Sequence, residues 1–269
     1  MITSLDFLIA KRYLLPKTSD SFFSIITVFS FLGISLGVAT LIIVMSVMNG
    51  FREELTNKVL GINGHMKIKP YNNLYIKNYE TLIDSIESKD SNIKTHPTLS
   101  TQVLFSFKNN SSGVLIKGIS YENLVNRKLL KQGISKESLQ KFKKNEGIII
   151  GERLREKFRV SQNEYAKIIS PDAFETPFGK LIRSSNYKVI GSFQTGMYEH
   201  DLSIIIMPLS LLQNFLDIND KVDTIELFVD NFKEIDNDYF KVKSILPDYF
   251  NLIDWRNLNP SLFNAIKVE

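Results

Sequence analysis

The chain has 269 residues, 43% hydrophobic and 23% charged, with a net charge of +4 and a pI near 9.0. Cysteine is absent, which excludes a disulfide framework, a thiol nucleophile and a zinc–thiolate site. The basic excess is modest and spread along the chain, so no nucleic acid is expected as a partner.

Residues 1–20 read as a cytoplasmic, interfacial lead-in. Leu5, Leu8, Ile9 and Tyr13 share one side of a helix, Lys11 and Arg12 reach for headgroups, and Pro16 ends it. A frayed lead is the other reading. From Ser21 to Phe51 no residue is charged, and about 20 such residues cross a bilayer. The run is too long for a signal-peptide core, offers no small-residue cleavage site, and lacks the polar stripe of a soluble core helix. We predict one transmembrane helix over 21–51, extending to about residue 60 with Gly61 as its stop. Lys11, Arg12 and Lys17 precede it and Arg52 and Lys58 follow. This slight positive-inside bias puts the amino terminus in the cytoplasm and the main domain outside the membrane.

Within the span, Ser30, Gly33 and Gly37 form a small-residue stripe suited to helix packing. Ile43, Val44, Val47, Met48 and Phe51 form a bulky apolar surface nearer the outer end. It faces either lipid tails or a lipidic substrate.

Beyond the span, residues 65–69 alternate as a strand, Tyr79 to Ile86 have helical spacing, and 93–107 read as one or two strands. Val114 to Ile119 is a strand, 121–144 is polar and helical or irregular, 147–151 is a buried strand and 152–158 a short helix. Strands follow at 165–170, 187–193 and 203–207, then a helix from Pro208 through Leu216. A strand at 223–230, a helix at 232–246 and a strand at 250–254 complete the order. The fold class is α+β: a split α+β part at 62–110 and 218–258, closing around a β-rich insert at 111–217, with 259–269 leading onward. Contiguous separate domains are the alternative.

The search for chemistry finds little. Gly113 to Gly118 lacks the Lys-Ser/Thr of a phosphate loop. His65, His96 and His200 have no metal-ligand spacing, and Glu199-His200-Asp201 reads as a surface turn. No nucleophile elbow is present. Neither catalysis nor a cofactor is expected. The stretch Pro171 to Gly179, with two prolines and two phenylalanines, reads as a stiffened loop that either anchors a partner or folds back on its own domain.

Five stretches together resemble the LolC/LolE permeases: Phe7 to Tyr13, Val47 to Leu55, Ile148 to Glu152, Thr195 to Asp201 and Asn259 to Glu269. The resemblance spans the whole chain in order. It implies a MacB-like periplasmic domain, built of a porter-like α+β part and the inserted β-rich part, after one transmembrane helix in the cell inner membrane. It implies a non-catalytic subunit of an ABC transporter that releases lipoproteins. The partners would be a LolD-like ATPase subunit, a second copy or sister permease, the lipoprotein, membrane lipid and a LolA-like periplasmic chaperone. The acyl-chain path would use the outer-helix residues above. Phe174, Pro177 and Phe178 would carry the chaperone-binding loop. Three further spanning helices are expected after residue 269 in such a permease. A MacB-type exporter for another substrate, and a membrane-anchored interaction domain without transport, are the alternative readings.

Overall fold

The computed structural model describes residues 5–9, 21–72, 75–176 and 179–267. Two compact units divide the chain, Met1–Leu55 and Thr56–Glu269.

Helix α1 is continuous from Ser21 to Ile62. It is the one described helix long and apolar enough to cross a membrane. Its large apolar side chains from Ile25 to Phe51 are exposed, as a lipid solvent permits and water does not. The helix runs through Gly61 instead of stopping there. A methyl group on Gly61 would stand 2.2 Å from Cδ1 of Leu129, so this glycine serves a close approach of side chain to helix.

In the second unit, β1 (Met66–Pro70) is followed by β2 (Ile76–Lys77), α2 (Tyr79–Lys89), β3 (Lys94–Phe107) and β4 (Asn110–Ile119). Three short helices come next: α3 (Tyr121–Asn126), α4 (Lys128–Lys131) and α5 (Lys136–Lys143). Ser120 and Ser135 cap α3 and α5 by accepting from the amides of Asn123 and Ser138, which explains why so polar a stretch is helical. The chain continues with β5 (Ile148–Gly151), α6 (Glu152–Phe158), β6 (Tyr165–Thr176), β7 (Gly179–Phe193), α7 (Tyr198–Ser203), β8 (Ile204–Pro208) and α8 (Leu209–Leu216). It ends with β9 (Lys221–Val222), β10 (Thr224–Phe228), α9 (Ile235–Lys243), β11 (Phe250–Asp254), α10 (Trp255–Leu258) and α11 (Pro260–Lys267). The expected single helix over 232–246 is split: a 3-10 turn, Phe232–Glu234, precedes α9.

Nine strands join in the order β11-β1-β10-β3-β4-β8-β5-β7-β6. The long strand β3 serves both ends of that sheet. Lys94 to Thr98 pair with β10, and Leu99 to Phe107 pair with β4. β3 also pairs with β6, Phe105 opposite Ile168. Strands β3, β4, β8, β5, β7 and β6 therefore close into a ring, a closure that removes sheet edges. Val103, Phe105, Val114, Ile116, Ile150, Ile168 and Ile205 belong to one buried cluster, and Phe158 of α6 meets Phe105 edge-on at 5.1 Å. A second cluster joins Ile149, Ile190, Ile204 and Ile206 to Leu124, Leu130, Leu139 and Phe142 of the short helices. Strands β5 and β8 are thus buried on both faces, which is why they read as unbroken apolar runs.

At the other end, Met66, Ile68, Ile225, Leu227 and Leu252 put one face of β1, β10 and β11 into the core with Ile86 of α2 and Val242 of α9. Trp255 packs edge-on against Phe232 and Phe263.

Candidate functional site

Three features of the structure bear on function: the apolar face of α1, the β6–β7 ribbon, and an ionic cluster under the end of α1.

On α1, Ile43, Val44, Val47, Met48 and Phe51 are 62%, 55%, 67%, 41% and 56% exposed. At about 100° per residue they occupy one side of the helix. Ser30, Gly33 and Gly37 are exposed too. They fall on the same side, about two to four turns nearer the amino end. The helix therefore carries a narrow, small-residue half and a broad, apolar half along one stripe. Its lead-in is described only at residues 5–9, which are helical with Leu5, Phe7, Leu8 and Ile9 exposed.

The expected loop over 171–179 is instead mostly strand. β6 runs to Thr176 and β7 starts at Gly179. The register jumps from Ile169↔Ser184 to Ala173↔Ile182, so three residues around Pro171 oppose Arg183 alone. The bulge absorbs the proline, which has no amide hydrogen for the ladder, and pairing resumes beyond it. Phe174 pairs with Leu181 within this ribbon; Pro177 and Phe178 lie outside the described residues. Past the bulge, among the described residues, the two strands pair only with each other, and Leu181 and Ile182 are 53% and 60% exposed. Successive strand residues point to opposite faces, so both faces of the ribbon present an aliphatic side chain. A groove of about 570 Å³ lies at its root, lined by Val103, Leu104, Val114, Leu115, Pro171 and Ser203 among others.

The third feature is not legible in the alternation of residues 223–230. The face of β10 opposite the core carries Glu226, which stands across from Lys67 of β1 and His96 of β3. A polar face of an alternating strand commonly meets solvent, yet Glu226 is 1% exposed. Its carboxylate meets Arg127 Nη2 at 2.8 Å, Lys117 Nζ at 3.2 Å and Lys67 Nζ at 3.4 Å. Arg127 Nε donates to His96 Nδ1 at 3.4 Å, and the guanidinium lies over the Phe228 ring at 5.0 Å. Burial alone would raise the Glu226 carboxyl; Lys117, Arg127 and Lys67 overcome it and hold the group well below the usual carboxylate range. Burial pushes the Lys117 ammonium down to about 8, and Glu226 keeps it charged at neutral pH.

The histidines are less scattered than their spacing suggests. His65 and His96 flank Phe228, with ring centroids 5.4 and 4.8 Å from it. His65 Nδ1 accepts from the Val229 amide at 2.9 Å. Among the described residues, no three His, Asp or Glu side chains group as metal ligands. Glu199-His200-Asp201 is not a surface turn but part of α7, and Asp201 is 2% exposed.

The chain joins one exposed apolar helix, long enough to cross a membrane, to a mixed α/β unit that closes a strand ring. Residues 27–243 match the family described as MacB-like periplasmic core domain. The chain belongs to that family. Over 99% of its length it is 29% identical to the lipoprotein-releasing system transmembrane protein LolC of Neisseria meningitidis serogroup B, and it covers 64% of that protein. It is 24% identical to the LolE counterpart of Haemophilus influenzae over 84% of this chain and 55% of that protein. Among solved structures, the periplasmic region of MacB from Actinobacillus actinomycetemcomitans aligns with a TM-score of 0.47 at 13% identity, over 76% of this chain and 92% of that one. The chain thus spans less than two thirds of the length of these LolC and LolE relatives.

Proposed function

We propose that this chain is the membrane-anchoring and substrate-handling part of a non-catalytic permease subunit, in an ABC transporter that lifts lipoproteins out of the inner membrane and passes them to a periplasmic chaperone. The single observation that carries the reading is the likeness to LolC over 99% of the chain, with the long apolar helix and its following domain in the same order. ATP hydrolysis belongs to a separate LolD-like partner, and a second copy or sister permease completes the membrane part. The amino terminus lies in the cytoplasm and the unit from Thr56 onward in the periplasm.

Physical chemistry supports this division of labour. Each buried methylene holds an acyl chain in lipid by about 0.8 kcal/mol, so extracting one chain opposes on the order of 10 kcal/mol. An apolar path from bilayer to chaperone lowers that barrier by keeping the chain out of water. The stripe on α1 suits such a path. Its small-residue half lets a neighbouring helix come close, and its bulky half, Ile43, Val44, Val47, Met48 and Phe51, lines the way out. The stretch that holds Phe174, Pro177 and Phe178 serves the chaperone.

A photo-crosslinking residue at Val47 or Met48, in the assembled complex, is expected to capture lipoprotein. The same residue at Ile42, across the helix from the middle of that stripe, is expected not to. Equal capture at all three positions, or none, would remove the substrate path.

A further inference from the structure

The last carbonyls of a helix lack partners within the helix, and water, a glycine turn or one basic side chain usually serves them. The end of α1 is served differently. The carbonyl of Ile62, its final residue, accepts from Lys117 Nζ at 3.3 Å and from Arg127 Nη1 at 3.2 Å. Lys117 Nζ also donates to Asn63 Oδ1 at 2.9 Å. The two cationic side chains are 5% and 1% exposed, and both converge on Glu226, itself 2% exposed. Burying two charges on one carbonyl far exceeds what capping requires, since each loses its hydration and needs a counter-charge. The counter-charge stands on β10, between β1 and β3 in the sheet. The carbonyl end of the helix dipole adds partial negative charge where three cations face one carboxylate.

We propose that Lys117 and Arg127, balanced by Glu226, form a buried clamp that locks the last turn of α1 to the sheet, so that a displacement of the helix end is delivered to β4 and β10 instead of being absorbed by fraying. Lys117 stands on β4, while Arg127 closes α3 and leads into α4. The helix end is thereby held from two elements at once. Lys117 and Arg127 act as positioning residues. The existence of the clamp is independent of the transport reading; only its use rests on it.

The test is residue-resolved hydrogen exchange on the full chain in detergent, comparing wild type with Lys117→Met, Arg127→Met and Lys117→Arg. The amides of residues 59–63 are expected to exchange at least tenfold faster in both methionine variants. Those of β7 at 187–193 should not change, and Lys117→Arg should restore protection. Unchanged protection at 59–63, or a loss spread evenly over 56–267, overturns the clamp. Should a methionine variant fail to fold, Asn63→Ala removes a single contact of Lys117 at a half-buried site. It should loosen residues 59–63 several-fold, and no change there overturns the proposal equally. In the assembled transporter, Lys117→Met should keep ATP turnover while cargo release falls at least tenfold. Release that follows turnover refutes the coupling role. A wild-type complex that releases no lipoprotein would count against the transport reading and leave the exchange result standing.

Discussion

The carboxylate of Asp201 accepts two hydrogen bonds from Thr195, 2.8 Å from its amide and 2.7 Å from its hydroxyl. Both residues are buried. The Thr195 hydroxyl in turn accepts from the Met197 amide at 3.2 Å, closing a small polar staple at the start of α7. Asp201→Ala strands both Thr195 donors and is expected to cost about 3 kcal/mol, whereas Asp201→Asn keeps an accepting oxygen and costs less. Gly151 lies against the same point; a methyl group there would stand 2.1 Å from the Asp201 carbonyl oxygen. Gly151→Ala is expected to cost about 1–3 kcal/mol through forced displacement of backbone. Denaturant midpoints measure all three, and a wild-type midpoint for Asp201→Ala would show the staple to be dispensable.

Ring closure depends on the contact of β3 with β6, and Phe105 is fully buried at that seam. Phe105→Ala is expected to destabilise the unit by about 3–5 kcal/mol, because the ring wall is too rigid to collapse into the void. Its neighbour Leu104 is 39% exposed, and Leu104→Ala should cost on the order of 0.5 kcal/mol. Thermal unfolding of the two variants gives the contrast; similar losses would mean that the seam is not tightly packed.

Stability should fall as pH drops from 6.5 toward 4. Burial pushes both His65 and His96 down to about 4 from an ordinary 6.5, and the Arg127 cation assists at His96. Burial, aided by Lys117, lowers His200 as well. In that window the unfolded chain binds more protons at these sites, so acid favours it. Asp223 opposes the trend. Burial raises its carboxyl to about 6, so its contribution is present below the unfolded value of 3.8 and is lost as pH rises through 6. Three histidines against one aspartate leave a net loss toward acid. Below the ordinary glutamate value of 4.5, protonation of Glu226 adds to it. His96→Gln should flatten the slope of unfolding free energy against pH between 6.5 and 4. An unchanged slope would mean that His96 titrates normally in the fold.

The ribbon offers a separation of stability from function. Leu181 and Ile182 are exposed on a part of the hairpin that, among the described residues, pairs only with itself. Changing both to serine should alter stability by about 0.5 kcal/mol or less. Capture of a LolA-like chaperone, measured by titration against the purified complex, should weaken at least tenfold. Undiminished capture would take the ribbon out of the handover.

What the amino-acid order settled by itself was whatever depends on near neighbours. The uncharged run from Ser21 to Phe51 is long and apolar enough for a membrane-crossing helix, and the runs at 148–150 and 204–207 announce strands buried on both faces. Local alternation and spacing carry that information over a few residues. The bulge at Pro171 misled for the same reason: a proline locally ends a strand, and only pairing with a partner shows the ladder resuming at Ala173. The closure of β3 onto β6 and the meeting of Ile62, Lys117, Arg127 and Glu226 were decided by tertiary structure alone. Those partners lie 55, 65 and 109 residues apart along the chain. A glutamate on an alternating strand looks solvent-facing until the sheet, the helix end and α3 close over it. Three cations from separate elements then make its burial tolerable.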